Sequence, residues 1–206
     1  MLALAPTPLV AILRGVRPEE AEAIAGAAIE AGFGAVEVPL NSPEPLKSIE
    51  RIARRWGGAA LIGAGTVLAA DDVGRVAEAG GRLVVAPNVD PAIIGRAGGL
   101  GLLSLPGAAT PTEALLALRS GASAVKMFPA EALAPEILKA WRSILPEGTE
   151  LFPVGGITPE RIAPYRKAGA AGFGIGGALY RPGANASEVA RLARAFVSAW
   201  AETEPA

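Results

Sequence analysis

Ala124-Val125-Lys126-Met127-Phe128-Pro129 reads as a short buried strand, apolar, carrying one lysine and stopped by a proline. An ammonium is costly to bury in apolar surroundings. A lysine in such a place lowers its pKa and becomes a neutral amine, the nucleophile that Schiff-base enzymes use. The alternative is a lysine that reaches solvent or pairs with a carboxylate, and the stretch alone leaves both open. Helical patterns lie on either side, over 111–120 and 135–145. This alternation of strand and helix runs through the whole chain.

Working outward, strands are predicted over 9–13, 35–39, 60–63, 83–86, 102–105, 124–128, 150–154 and 171–175. Helices are predicted over 18–31, 45–55, 70–79, 91–97, 111–120, 135–145, 159–168 and 186–200. Several open on proline, whose missing N–H is harmless in a first turn. Ala31-Gly32, Ala79-Gly80, Ser120-Gly121 and Ala168-Gly169 supply glycine at the point where a left-handed cap ends a helix. Strands this apolar need cover on both faces, as in a parallel sheet wrapped by helices. Eight even units argue for an α/β fold, a (β/α)₈ TIM barrel spanning 1–206 as a single domain. An open doubly wound sheet is the weaker alternative, because no glycine-rich dinucleotide turn follows strand one. The tail over 202–206 is expected to fray.

Composition narrows the chemistry. The chain has 206 residues, about half of them apolar, and a net charge of −1. Nothing points to nucleic acid or to an acidic membrane surface as a partner. There is no signal-like start and no apolar run long enough to span a bilayer, so a soluble, cytoplasmic protein is expected. Cysteine and histidine are both absent. That excludes disulfides, thiolate catalysis, Cys/His zinc sites and imidazole acid–base chemistry. A metal could be held only by carboxylates and other oxygen ligands, and no cofactor is expected. Catalysis must draw on Lys, Arg, Glu, Asp, Tyr, Ser, Thr or the backbone.

A barrel carries its function at the C-terminal ends of the strands. Arg14-Gly15 follows strand one, Glu37 lies in strand two, Gly65-Thr66 follows strand three, and Lys126 lies in strand six. Val36 and Val38 must point away from Glu37. Glu37 is either a core ion-pair partner of Arg14 or Lys126, or a proton shuttle beside an amine. Of four lysines, only Lys126 is in a strand; Lys47, Lys139 and Lys167 fall in helices. Arg14 offers a planar fork for a carboxylate, or an ion pair to Glu37. Thr66 adds a hydroxyl or caps a turn. Gly155-Gly156 and Gly176-Gly177 follow strands seven and eight, where barrels bind phosphate through backbone N–H groups. Val125, Met127, Trp56 and Trp141 read as packing residues, and Phe128 stays ambiguous beside the lysine.

These motifs together resemble a known family. Ile12-Leu13-Arg14-Gly15, Glu37 through Pro43, Gly63-Ala64-Gly65-Thr66-Val67, Pro106-Gly107, Lys126-Met127-Phe128-Pro129 and Val154-Gly155-Gly156-Ile157 are similar to the 2-keto-3-deoxy-6-phosphogluconate/6-phosphogalactonate aldolases in order and spacing. The resemblance implies a (β/α)₈ barrel, a homotrimer and a metal-independent class I aldolase acting on a phosphorylated sugar acid. It implies Lys126 as the Schiff-base lysine and Glu37 as proton donor and acceptor. Arg14 and Thr66 would then hold the pyruvyl carboxylate, and Gly155, Gly156, Gly176 and Gly177 the phosphate. Gly177 departs from the serine found in many members, which weakens that grip or leaves it to the backbone. Pro39-Leu40-Asn41-Ser42 and Val154 resemble the galactonate branch, since the gluconate branch tends to have threonine at the positions of Pro39 and Val154. The readings left open are cleavage of the gluconate epimer, a phosphate-binding barrel isomerase or epimerase, and a silent sugar-phosphate binding protein.

Overall fold

The computed structural model describes residues 7–203. The expected fraying of the tail falls largely on 204–206, outside the described residues. Strands and helices alternate in chain order. They are β1 Thr7–Ile12, α1 Pro18–Ala31, β2 Phe33–Pro39, α2 Pro45–Trp56, β3 Leu61–Gly65, α3 Ala70–Glu78, β4 Leu83–Val85 and α4 Pro91–Gly99. There follow β5 Leu103–Leu105, β6 Gly107–Ala108, α5 Pro111–Arg119, β7 Val125–Met127, α6 Pro135–Arg142, β8 Leu151–Pro153, α7 Pro159–Lys167, β9 Phe173–Ile175 and α8 Ala186–Ala201. No helix among the described residues is long and apolar enough to cross a membrane.

All eight predicted helices are present. The main departure is at α6, which stops at Arg142. Pro146 disfavours helix in the residue before it, and Ser143–Leu145 close a tight turn instead, with the Ile144 and Leu145 N–H groups donating to Trp141 O at 3.0 and 2.9 Å. The four predicted glycine caps all adopt positive φ, at Gly32 (119°), Gly80 (82°), Gly121 (93°) and Gly169 (101°). The predicted strand over 102–105 is present as β5, and a second short strand, β6, follows it. Pro106 lies between them and has no N–H for a ladder.

The strands are parallel. One sheet runs β5-β4-β3-β2-β1-β9 and the other β6-β7-β8. The first and last strands are neighbours, and the order is sequential, without the reversal of a doubly wound sheet. The two sheets are stitched at both seams. Ala124 N and Lys126 N donate to Ser104 O and Pro106 O at 3.3 and 2.9 Å. Ala171 N donates to Leu151 O at 2.9 Å, and a parallel bridge joins Val154 to Gly174.

Two apolar layers follow from the period of two along each strand. Leu9, Ala11, Val36, Val38, Ile62, Val84, Val125, Met127, Phe173 and Ile175 pack outward against the helices. Val10, Ala35, Leu83, Val85, Leu105, Ala124 and Phe152 form a separate inner cluster, with Leu61, Leu103 and Ala171 against it. Residues two further along the same faces are Ile12 above Val10, Glu37 above Ala35, Lys126 above Ala124 and Val154 above Phe152. The inner cluster is therefore the floor on which the polar residues stand.

Tyr165 of α7 secures the loop after β7. Its buried hydroxyl lies 2.9 Å from Ala130 O and 2.8 Å from Leu133 O, and Arg161 Nη2 donates to Ala130 O at 3.1 Å. Tyr165→Phe removes the one O–H that the two carbonyls share, Ala130 O keeping Arg161, and is expected to lower stability by about 1–2 kcal/mol in urea unfolding.

Candidate active site

Glu37 and Lys126 are both buried, at 2% and 7% exposure. Lys47, Lys139 and Lys167 are exposed on helices. A cavity of about 510 Å³ opens at the C-terminal ends of the strands. Arg14, Glu37, Thr66, Lys126, Val154, Gly155, Gly156, Gly176 and Gly177 all line it. Every residue singled out from the sequence is therefore in one place, although the residues are spread over more than 160 positions of chain.

Burial dominates the electrostatics. It pushes the Glu37 carboxyl up to about 7, against the lowering influence of Lys126 and then Arg14. It pushes the Lys126 amine down, opposed by Glu37 and assisted by Arg14. Burial thus shifts each group toward its neutral form, and each feels the other. No ion pair within 4 Å joins them among the described residues, and Glu37 Oε2 has no hydrogen-bond partner. Lys126 Nζ lies 4.4 Å from the centroid of Phe128, which also lines the cavity.

What places the Glu37 carboxylate is space. Glu37 is level with Ile12 on one side and Gly63 on the other, and Gly65 is two residues further along β3. A Cβ at Gly65 would overlap both carboxylate oxygens. Glycine is the residue that lets the side chain lie flat against that strand.

Arg14 does not pair with Glu37. Its Nη1 donates to Asn41 Oδ1 at 2.6 Å and its Nη2 to Thr66 Oγ1 at 3.2 Å. Gly15 N donates to Ser42 Oγ at 2.9 Å, which ties the loops after β1 and β2 together. Thr66 has φ 53°. That left-handed backbone is strained for a β-branched residue, at a level of about 1–3 kcal/mol, and such strain collects at functional sites.

On the far side, Gly155 and Gly156 have φ of 107° and 60°. Among the described residues, the N–H groups of Gly156, Gly176 and Gly177 donate to no backbone oxygen outside the strand ladders, while Gly155 flanks the Val154–Gly174 bridge. Val154 packs on Gly174, where a Cβ would come within 2.7 Å of Val154 Cγ2. Glu131, Thr158 and Arg181 complete the rim. Sequence reasoning missed these three, together with Asn41 and Gly65. Asn41 carried a signal, since it sits in the polar run after strand two. Arg181 carried none, because it lies beyond the strand-eight glycines in a stretch with no distinguishing pattern.

Comparison with known proteins matches this arrangement. A model of the KDPG and KHG aldolases covers residues 2–194. The chain belongs to this aldolase family. It is 49% identical over 193 residues to the probable 2-dehydro-3-deoxy-6-phosphogalactonate aldolase of Rhizobium meliloti (strain 1021), covering 94% of this chain and 91% of that protein. It is 49% identical over 195 residues to the 2-dehydro-3-deoxy-6-phosphogalactonate aldolase of Escherichia coli (strain K12), covering 95% of both. A solved structure described as native KDPGal superposes with a TM-score of 0.96 at 48% identity over 98% of both chains.

The raised carboxyl has a consequence for stability. Glu37 goes from 4.5 in the open chain to about 7 in the fold, so the folded protein binds the extra proton between those values. Stability contributed by the neutral acid is present at low pH and is lost as pH rises through 7. Glu37→Gln is expected to be more stable than the parent at pH 8, by up to about 3 kcal/mol. The gain should shrink toward pH 4.5. Thermal melts of both proteins across that range measure the difference.

Proposed function

We propose that the protein is a class I aldolase that cleaves 2-dehydro-3-deoxy-6-phosphogalactonate to pyruvate and D-glyceraldehyde 3-phosphate. The observation that carries this reading is Lys126 and Glu37 buried in one cavity, with burial favouring the neutral form of each. A neutral amine is a nucleophile without further activation. A carboxyl near pH 7 can give and take a proton at neutral pH.

In this mechanism the Lys126 amine attacks the C2 ketone to form a carbinolamine. Glu37 protonates the departing hydroxyl, and water leaves the protonated imine. Glu37, now a carboxylate, takes the proton of the C4 hydroxyl as the C3–C4 bond breaks. The electron pair of that bond passes into the imine and gives an enamine. The aldehyde product departs, the enamine takes a proton at C3, and water releases pyruvate from Lys126. Arg14, steadied by Asn41 and Thr66, holds the pyruvyl carboxylate. The backbone at the glycine pairs holds the phosphate end.

Val154 presents no hydroxyl to the substrate and rests on Gly174. An apolar wall there suits a substrate whose C4 hydroxyl points elsewhere, which favours the galactonate over the gluconate epimer. The same proposal includes closure of the strands into one (β/α)₈ barrel domain. Its support is the pairing of β1 with β9, the hydrogen bonds at both seams, and an inner cluster that draws on every side of the sheet. A homotrimer in the cytoplasm completes it, and sedimentation velocity reads the assembly.

Borohydride reduction with pyruvate, followed by peptide mass spectrometry, is expected to place a single adduct on Lys126. An adduct elsewhere, or full activity in Lys126→Ala, removes the assignment. A coupled pyruvate assay on both epimers should favour galactonate, and Val154→Thr should move the ratio toward gluconate.

Gly65→Ala tests the placement of Glu37. Displacing the carboxylate by about 1 Å is expected to lower kcat roughly 100-fold. A variant that melts like the parent and keeps its rate would show that the close approach is dispensable.

A further inference from the structure

Arg181 stands on the rim of the cavity with no task in the mechanism above. It follows β9 by six residues, in the turn that leads toward α8. Its Nε donates to Gly177 O at 3.0 Å. That bond fixes the stem and leaves Nη1 and Nη2 without a protein partner among the described residues. Both glycine pairs share the cavity lining with it.

Charge near the glycine pairs is otherwise mixed, with the Arg161 guanidinium against Gly156 as well as a carboxylate. The Glu131 carboxylate lies against Gly155 and Gly156, close enough that a Cβ at either would clash with it. Gly177 has no side-chain donor, and its nearest neighbour on the Cβ side is Arg181 Nε at 3.9 Å. The other cations are already engaged. Arg14 is held by Asn41 and Thr66, and Lys126 is on the buried floor. Arg161 donates to Gly156 O at 2.8 Å, to Ala130 O and to the Tyr165 hydroxyl, and it does not line the cavity.

We propose that Arg181 is the specificity-determining cation for the phosphate end of the substrate. Its two unbonded Nη groups offer the parallel donors that match a phosphate monoester dianion. The backbone N–H groups of the glycine pairs supply the remaining contacts, and Arg181 offsets Glu131. The proposal rests on the aldolase reading for the identity of the substrate. The turn itself does not need the side chain, since Leu179 N and Tyr180 N donate to Gly176 O at 2.8 and 3.0 Å and Ala184 N to Arg181 O at 2.9 Å. Substitution should therefore leave the fold intact.

The test compares the parent, Arg181→Gln and Arg181→Lys. Condensation of pyruvate with glyceraldehyde 3-phosphate and with glyceraldehyde gives a ratio of kcat/KM for the two aldehydes. Arg181→Gln is expected to lower that ratio about tenfold, chiefly through KM for the phosphorylated aldehyde, with Arg181→Lys in between. An equal loss on both aldehydes, or no loss, overturns the proposal. Calorimetric titration with glycerol 3-phosphate makes a second readout that needs no catalysis. Affinity that falls about tenfold in Arg181→Gln supports the assignment even if the parent forms no imine with pyruvate, an outcome that would sink the aldolase reading alone. Affinity indifferent to residue 181 overturns the assignment whatever the activity.

Discussion

An acid and an amine share one cavity in which neither carries its charge cheaply. Desolvation raises the carboxyl of Glu37 to about 7 and lowers the amine of Lys126, and their mutual attraction offsets this only in part. Burial by itself shifts both groups toward the neutral form. The rest of the structure serves to keep two ionisable side chains on an apolar floor.

That floor is a consequence of strand geometry. Val10, Ala35, Ala124 and Phe152 point inward, so Ile12, Glu37, Lys126 and Val154 must do so one pleat further on. A layer holding these side chains from every strand would be overcrowded. Glycine relieves it, at Gly63 and Gly65 in β3, at Gly107 in β6, and at Gly174 in β9, where an added Cβ would meet backbone or a site side chain. The same absence of side chains bares the backbone donors at Gly155-Gly156 and Gly176-Gly177. Stability is surrendered locally for this, as the left-handed Thr66 and the unpartnered Glu37 Oε2 show.

The site is polar in a graded way. Its floor holds two groups that burial shifts toward neutrality, its β1–β3 side an arginine clamped by an amide and a hydroxyl, and its β8–β9 side backbone N–H groups with one exposed cation. A substrate with an anion at each end and a carbonyl between them matches that division.

Most of this was legible in the chain. Apolar strands of four or five residues, helices opened by proline and closed by glycine, and a lone lysine in a strand are local patterns, and local patterns survive without coordinates. Period two placed Glu37 opposite Val36 and Val38, and the absence of histidine and cysteine left lysine chemistry standing. Other features depend on what the fold brings alongside. The break at Pro106, Asn41 rather than Glu37 as the partner of Arg14, the strand-to-carboxylate contact at Gly65 and the position of Arg181 are all relations between residues far apart in sequence. Local pattern determines which way a side chain leaves its strand; only the packed sheet decides what it meets there.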